Sequence, residues 1–163
     1  MILRSDWSQR PCPIARGINS VGDPWTLLIL RELLSGVHRY DEIRNNTEAA
    51  DNVLTTRLKK LVANGFARRV PYRDGGRQRF EYHPTRAALD TLPILHAFAI
   101  WAEKHTPGDT PDRSLAIICR ECGAQSSRGE TCSACNAPLD ARNVSWIRPI
   151  YPDQTARPLV AGK

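Results

Sequence analysis

No stretch of this 163-residue chain approaches the run of ~20 apolar residues that a membrane-crossing helix needs. The N-terminus, MILRSDWSQRP, lacks the apolar centre of a secretory signal. Both absences lead us to expect a soluble protein of the cytoplasm. Histidine is scarce and scattered (His38, His83, His96, His105), no glycine-rich phosphate cradle is present, and no nucleophile stands beside a recognisable base. The chain offers little to an enzyme, and we expect none. Acidic residues are thin where basic ones gather: Arg57, Lys59, Lys60, Arg68, Arg69, Arg73, Arg77 and Arg79 face Asp74 alone, so this segment carries +7 against a total of +6 and the remainder is near neutral. Positive charge concentrated in this way suits the phosphates of a polyanion, whereas a merely solvated face usually mixes signs.

What is present is mostly helical. Pro13 can open a short helix with Ile14, Ile18 and Val21 on one face, and Gly22-Asp23-Pro24 breaks it and starts another. That second helix, WTLLILRELL, is apolar nearly all round and is expected to be buried; Gly36 ends it. A third, YDEIRNN, leads through a turn at Thr47 to Ala50 into DNVLTTRLKK, with Asp51 placed as its N-cap and Gly65 at its end. The pattern then changes to FARRVPYRDGGRQRFEY, two strand-like segments around Gly75-Gly76, which predicts a hairpin with a basic tip. Thr85 can cap a further helical region through Leu89, Leu92, Leu95, Phe98 and Trp101, kinked or split by Pro93. Its apolar residues fall on more than one face, and a second subunit is the simplest cover for them.

In DNVLTTRLKK, Leu54, Leu58 and Leu61 form one stripe and Asn52, Thr56, Lys59 and Ala63 the opposite one, flanked by Thr55 and Lys60. Asn and Lys can bond base edges in a major groove, Thr can touch a thymine methyl or a phosphate, and Ala63 permits close approach. Alone this is an ordinary amphipathic helix. A preceding helix and turn, and a following hairpin carrying Arg73, Arg77 and Arg79, make it a winged helix-turn-helix, in which the second helix enters the major groove and the hairpin lies along the backbone or in a flanking minor groove.

From Cys12 to about Trp101, the runs CPIARGINSVGDPWTLLILRELLSGVHRYDEI, DNVLTTRLKKLVANGFARRVPY and FEYHPT resemble the HxlR-type bacterial transcriptional regulators, relatives of the MarR group. The resemblance implies a winged-helix homodimer on a roughly palindromic DNA operator. It maps Asn52 to Lys60 onto the recognition helix, Arg73 to Arg79 onto the wing, and the N-terminal helix with Leu89 to Trp101 onto the dimerisation elements. Two features depart from the usual pattern, Gly-Asp-Pro before Trp25 and Pro84-Thr85 after the second wing strand. Both sit at helix starts and bear on dimer packing more than on DNA reading. Cys12 matches the N-terminal cysteine that acts as a redox or electrophile sensor in some relatives; a thiolate there would be favoured by free N–H groups and the helix dipole, and the plain alternative is a cysteine that packs as a small hydrophobe or caps the helix.

Beyond the linker composition of TPGDTPD lies CRECG…CSACN. Cys119, Cys122, Cys132 and Cys135 have the spacing of a four-thiolate tetrahedral site, with Gly123 suited to the knuckle turn. The segment resembles a zinc ribbon of the rubredoxin-knuckle type. So few large apolar side chains would not hold it folded alone, so structural zinc is expected to supply the stability, with a thiol switch as the rival reading. We divide the chain into a winged-helix domain (1–106), a linker (107–114), the four-cysteine segment (115–150) with a small β structure, and a frayed tail (151–163). The function expected is a DNA-binding transcriptional regulator, responsive to thiol oxidation or a small-molecule effector. The alternative is a zinc-dependent protein-interaction module that keeps the winged-helix fold without reading DNA.

Overall fold

The computed structural model describes residues 6–106, 108 and 114–160. Helix α1 (Pro13–Val21) opens on its proline, whose missing N–H costs nothing in a first turn. Asp23 caps α2 (Pro24–Leu34), its carboxylate accepting from the Thr26 N–H and hydroxyl at 3.0 Å each. Ile29, Leu30, Leu33 and Leu34 of α2 are wholly buried and form the centre of the core. Gly36 then turns the chain at φ +83°, a conformation that a Cβ would strain.

Helices α3 (Tyr40–Thr47) and α4 (Asp51–Ala63) follow and pack against α2. Asp51 does not take the expected N-cap place: Ala50 holds it without a side-chain bond, and Asp51 is the first helical residue. Its carboxylate is drawn instead to donors on α3, accepting from the Tyr40 hydroxyl at 3.2 Å and from Arg44 at 3.4 Å. It still lies in the first turn, where negative charge favours the helix. Leu54, Leu58 and Leu61 are buried as the periodicity predicts.

Strands β1 (Ala67–Asp74) and β2 (Arg77–Pro84) form an antiparallel hairpin in register from Ala67↔Pro84 to Asp74↔Arg77. Gly75 and Gly76 make the two-residue loop at φ +56° and +80°, the pair of positive angles that matches the twist of the strands. The helical region after it is two helices, α5 (Arg86–Leu89) and α6 (Leu92–His105), so Pro93 splits it by starting the second. Thr85 sits at the N-cap of α5 but does not cap with its side chain; its hydroxyl donates to the Gly65 carbonyl at 2.6 Å and ties the hairpin's exit to the end of α4.

The cysteine-bearing segment builds a second antiparallel sheet in the order β3 (Ala116–Cys119), β4 (Val144–Ile147), β5 (Arg157–Pro158). Residues after 150, expected to fray, are drawn in part onto this sheet: Trp146 pairs with Arg157, and Leu159 is buried. The Val160 N–H donates to the Leu34 carbonyl at 2.9 Å, satisfying a C-terminal carbonyl of α2. Burial of Leu159 and that bond are what hold a segment with little strand propensity of its own.

Polar contacts join this sheet to the helices. The Glu32 carboxylate, fully buried on α2 among its leucines, receives both guanidinium nitrogens of Arg148, the Asn46 amide at 2.8 Å and Arg31 Nε at 2.9 Å. On α6, buried His96 accepts at Nε2 from the Trp146 indole N–H at 2.9 Å, which leaves Nδ1–H to donate to the Gly129 carbonyl at 2.7 Å. Both ring nitrogens are satisfied by the neutral form, and burial holds the His96 pKa below its ordinary value. A Cβ on Gly129 would stand 2.8 Å from the His96 Cβ, so only glycine allows this approach. Among the described residues no helix is long and apolar enough to cross a membrane.

Candidate nucleic-acid interface and cysteine cluster

With its leucine stripe turned inward, α4 exposes Asn52, Thr55, Thr56, Lys59 and Ala63, and leaves Lys60 half-buried on the flank. The side chains are unequally committed. Thr56 Oγ1 donates to the Asn52 carbonyl at 2.7 Å, and Thr55 Oγ1 lies 3.1 Å from the Tyr40 hydroxyl. Asn52 Oδ1 accepts from the Val53 N–H at 2.9 Å, which leaves its amide hydrogens as donors. Lys59 forms no ion pair among the described residues. Asn52 and Lys59 are therefore the side chains with donors to spare, while the two threonines present mainly methyl groups.

The structure also sorts the +7 segment. Arg57 is internal: its guanidinium pairs with Asp23, Nη2 donating to one oxygen at 2.9 Å and Nε lying 2.8 Å from the other without the geometry of a hydrogen bond. It joins α4 to the start of α2. Arg79 is held by Asp41 of α3 at 3.2 Å and by Asp74 at 3.6 Å, and Arg69 lies over the Phe80 ring at 3.7 Å. Arg73 and Arg77, at the wing tip, are exposed and carry no salt bridge among the described residues. Sequence counting treats all these cations alike. Their partners divide them into arginines that build the domain and arginines that project from it.

Sequence reasoning missed Tyr40 and Asp41. Tyr40 reaches Asp51 and Thr55, and Asp41 reaches Arg79, so the first residues of α3 hold both the start of α4 and the wing. The one available signal was the Tyr-Asp pair at a helix start.

The four cysteine sulfurs converge. Sγ of Cys119 and Cys135 are 3.8 Å apart, those of Cys122 and Cys132 are 3.7 Å apart, and all four lie within 4.8 Å of one another. A tetrahedron of thiolates at the usual Zn–S distance of ~2.3 Å has edges of ~3.8 Å, so the donor set fits zinc in number, chemistry and spacing. The two knuckles have the same construction. Gly123 N–H donates to the Cys119 carbonyl at 2.9 Å and Asn136 N–H to that of Cys132 at 3.0 Å, with Gly123 at φ +74° and Asn136 at +62°. Crowding sets the thiols apart: N–H groups of Cys135 and Ala134 pull Cys132 down to about 6. The Ala137 N–H favours ionised Cys135, but its neighbours, Cys122 first, outweigh it and push that thiol up to about 12. A central cation removes that conflict. Cys12 lies elsewhere, exposed at the N-cap of α1 without a side-chain capping bond.

A helix pair, a buried leucine stripe and a basic two-stranded wing define a winged helix-turn-helix protein. Residues 20–110 match the family described as HxlR-like helix-turn-helix, and the chain belongs to this family of transcriptional regulators. Rv3095 of Mycobacterium tuberculosis, named as an uncharacterized HTH-type transcriptional regulator, is 32% identical over 133 residues, covering 81% of this chain and 82% of its own. The crystal structure of PA1607, a candidate transcription factor, superposes with a TM-score of 0.64 at 31% identity over 82% of this chain and 92% of that one. A stretch covering 81% of the chain, wherever it starts, runs past the linker into the four-cysteine segment, so the likeness extends beyond the helix-turn-helix. The oxidised form of the redox regulator HypR has a TM-score of 0.54 at 23% identity over 60% of this chain and 100% of its own, a likeness of fold alone.

Proposed function

We propose that this protein is a homodimeric regulator that reads a roughly palindromic operator through the exposed face of α4, with the wing on the neighbouring backbone. The observation that carries this reading is the division of α4: three leucines buried, Asn52, Thr55, Thr56 and Lys59 exposed, and the free arginines Arg73 and Arg77 on the hairpin that follows. Asn52 and Lys59 are the base-edge donors, the threonine methyl groups suit thymine, and Arg73 and Arg77 meet phosphates, with Arg79 able to join them only by leaving Asp41 and Asp74. Lys60 stands at the edge of the DNA-facing surface. Ile14 and Ile18 of α1, with Ile94, Phe98 and Trp101 of α6, are large exposed apolar side chains and form the surface we assign to the second subunit. Zinc on Cys119, Cys122, Cys132 and Cys135 is structural, since four thiolates leave no open position for chemistry. Cys12 is free and exposed at the N-cap of α1, which supports thiol oxidation as the regulatory input.

The test is a mobility-shift titration on the promoter DNA beside the protein's own gene, run at several salt concentrations. Lys59→Ala weakens specific binding. Arg73→Ala with Arg77→Ala weakens binding to every sequence and lowers the salt slope by about one for each phosphate that is no longer neutralised. A zinc-loaded dimer that leaves this DNA unshifted at low salt overturns the reading.

A further inference from the structure

A second set of ligands lies at the root of the wing. His38, on the turn between α2 and α3, faces Glu81 and His83 of β2, and one donor atom from each lies within 4.8 Å of the other two. Glu81 and His83 are two apart on one strand and therefore share a face. Backbone pairing brings His38 to them: its carbonyl accepts from the Tyr82 N–H at 2.9 Å, and Arg39 bridges to Glu81 across the gap. The placement is built by the fold, since the same backbone bonds anchor the hairpin to the helices.

The contacts inside the cluster leave a polar atom without a partner. His83 Nε2 bonds a Glu81 oxygen at 2.9 Å, and the His38 and His83 rings are 4.1 Å apart at centroids. His38 Nε2 is buried with no hydrogen-bond partner. A buried imidazole nitrogen without a partner, on a ring packed beside a second imidazole and a carboxylate, is costly in a structural role, because a donor or acceptor so placed forfeits its solvation. It is the arrangement a divalent transition metal satisfies, and two imidazoles with one carboxylate are a ligand set for zinc that leaves a coordination position for water. Glu81 and His83 side chains are about one quarter exposed, so an ion can reach the site from solvent. Two cations oppose it. Arg39 Nε stands 3.5 Å from the second Glu81 oxygen, and Arg68 is paired across the hairpin with His83. Arg39 stacks at 4.9 Å over the Tyr72 ring, which gives it a place apart from the carboxylate.

We propose that His38, Glu81 and His83 form a second metal site, open in coordination and specific for zinc-class divalent ions, separate from the four-cysteine cluster. Binding displaces the proton that His83 shares with Glu81 and gives His38 Nε2 its missing partner. Its occupancy pins β2 to the turn that leads into α3; that such pinning alters operator affinity rests on the DNA-binding reading, and the metal site itself does not.

The experiment is equilibrium dialysis of the full-length protein against low-micromolar zinc without DNA, so that its failure leaves the DNA reading untouched. The wild-type chain is expected to hold one zinc more than the His38→Gln, His83→Gln double variant. The cysteine-bound zinc is the same in both. Glu81→Gln, a milder change with the fold checked by circular dichroism, is expected to weaken the extra site at least about tenfold. Equal zinc content in wild type and double variant, or an extra site unchanged by Glu81→Gln, overturns the proposal.

Discussion

The bond between Arg148 and Glu32 gives the sharpest test of how the cysteine-bearing segment is held. Arg148 is 3% exposed and Glu32 is not exposed at all, and the guanidinium meets both carboxylate oxygens. Replacing Arg148 with Met keeps much of the volume and leaves a buried carboxylate with two remaining partners, Asn46 and the partly exposed Arg31. Breaking a buried pair from one side costs about 3 to 5 kcal/mol, and the residual partners set the expectation at the lower end, about 3 kcal/mol. That is more than a hundredfold in the ratio of folded to unfolded chains. Glu32→Gln in the same chain removes the stranded charge, so the double variant should recover about 2 kcal/mol of the loss. Urea unfolding of the zinc-loaded protein, followed by tryptophan fluorescence, measures all three variants against wild type. If Arg148→Met costs under about 1 kcal/mol, or the double variant equals the sum of the single ones, the bond does not anchor the cysteine-bearing segment to α2.

Cys132→Ser removes one of four thiolates and is expected to empty the cysteine site, with loss of bound zinc by elemental analysis and a lower urea midpoint; Cys12→Ser should change neither. His96 predicts a pH dependence. Its folded pKa lies below the ordinary 6.5, so its stabilising contribution is complete above 6.5 and is lost as pH falls from there toward the folded pKa, because the unfolded chain binds the proton first. His96→Gln, which keeps one donor and one acceptor, should flatten that part of the stability profile between about pH 7 and 5. An unchanged difference between the two pH values refutes the neutral-histidine assignment.

The helix-turn-helix and its wing were legible because each rests on local chemistry. The leucine period of α4, the proline starts of α1 and α2 and the Gly75-Gly76 loop are decided within a few residues, and the structure repeats them. Asp51 is displaced from its N-cap, and Thr85, though at the N-cap of α5, makes no capping bond, for the opposite reason. Each is a good capping residue by type, but Tyr40 and Arg44 claim one side chain and Gly65 the other from 7 to 20 residues away. Long-range pairs were out of reach: Arg148 and Glu32 are 116 positions apart, and Trp146 and His96 are 50. Only the presence of a lone glutamate in the apolar run WTLLILRELL hinted that something charged must come to meet it. The cysteine spacing predicted a cluster, and the sulfurs do converge. Charge counting was the least discriminating signal, since Arg57 and Arg79 belong to the same +7 segment as Arg73 and Arg77 yet are tied to acids.

Helix α6 shows how the two halves of the chain depend on each other. Its buried residues are Leu92 and His96, and its large exposed ones are Ile94, Phe98, Ile100 and Trp101, so one helix serves two surfaces at once. The inner surface is fixed by His96 against Gly129, where a hydrogen bond of 2.7 Å and the lack of room for a Cβ leave little freedom to slide. Gly129 stands three residues before Cys132, and the Arg128 guanidinium beside it donates to the Cys132 carbonyl at 3.2 Å. The path from the sulfur cluster to α6 is therefore short and made of groups that each have one satisfactory position. An apolar side chain in place of His96 would leave the Gly129 carbonyl and the Trp146 N–H unpaired in a buried place, so the histidine supplies the polar joint within a core that the cysteine-bearing segment and the helices otherwise share through apolar side chains.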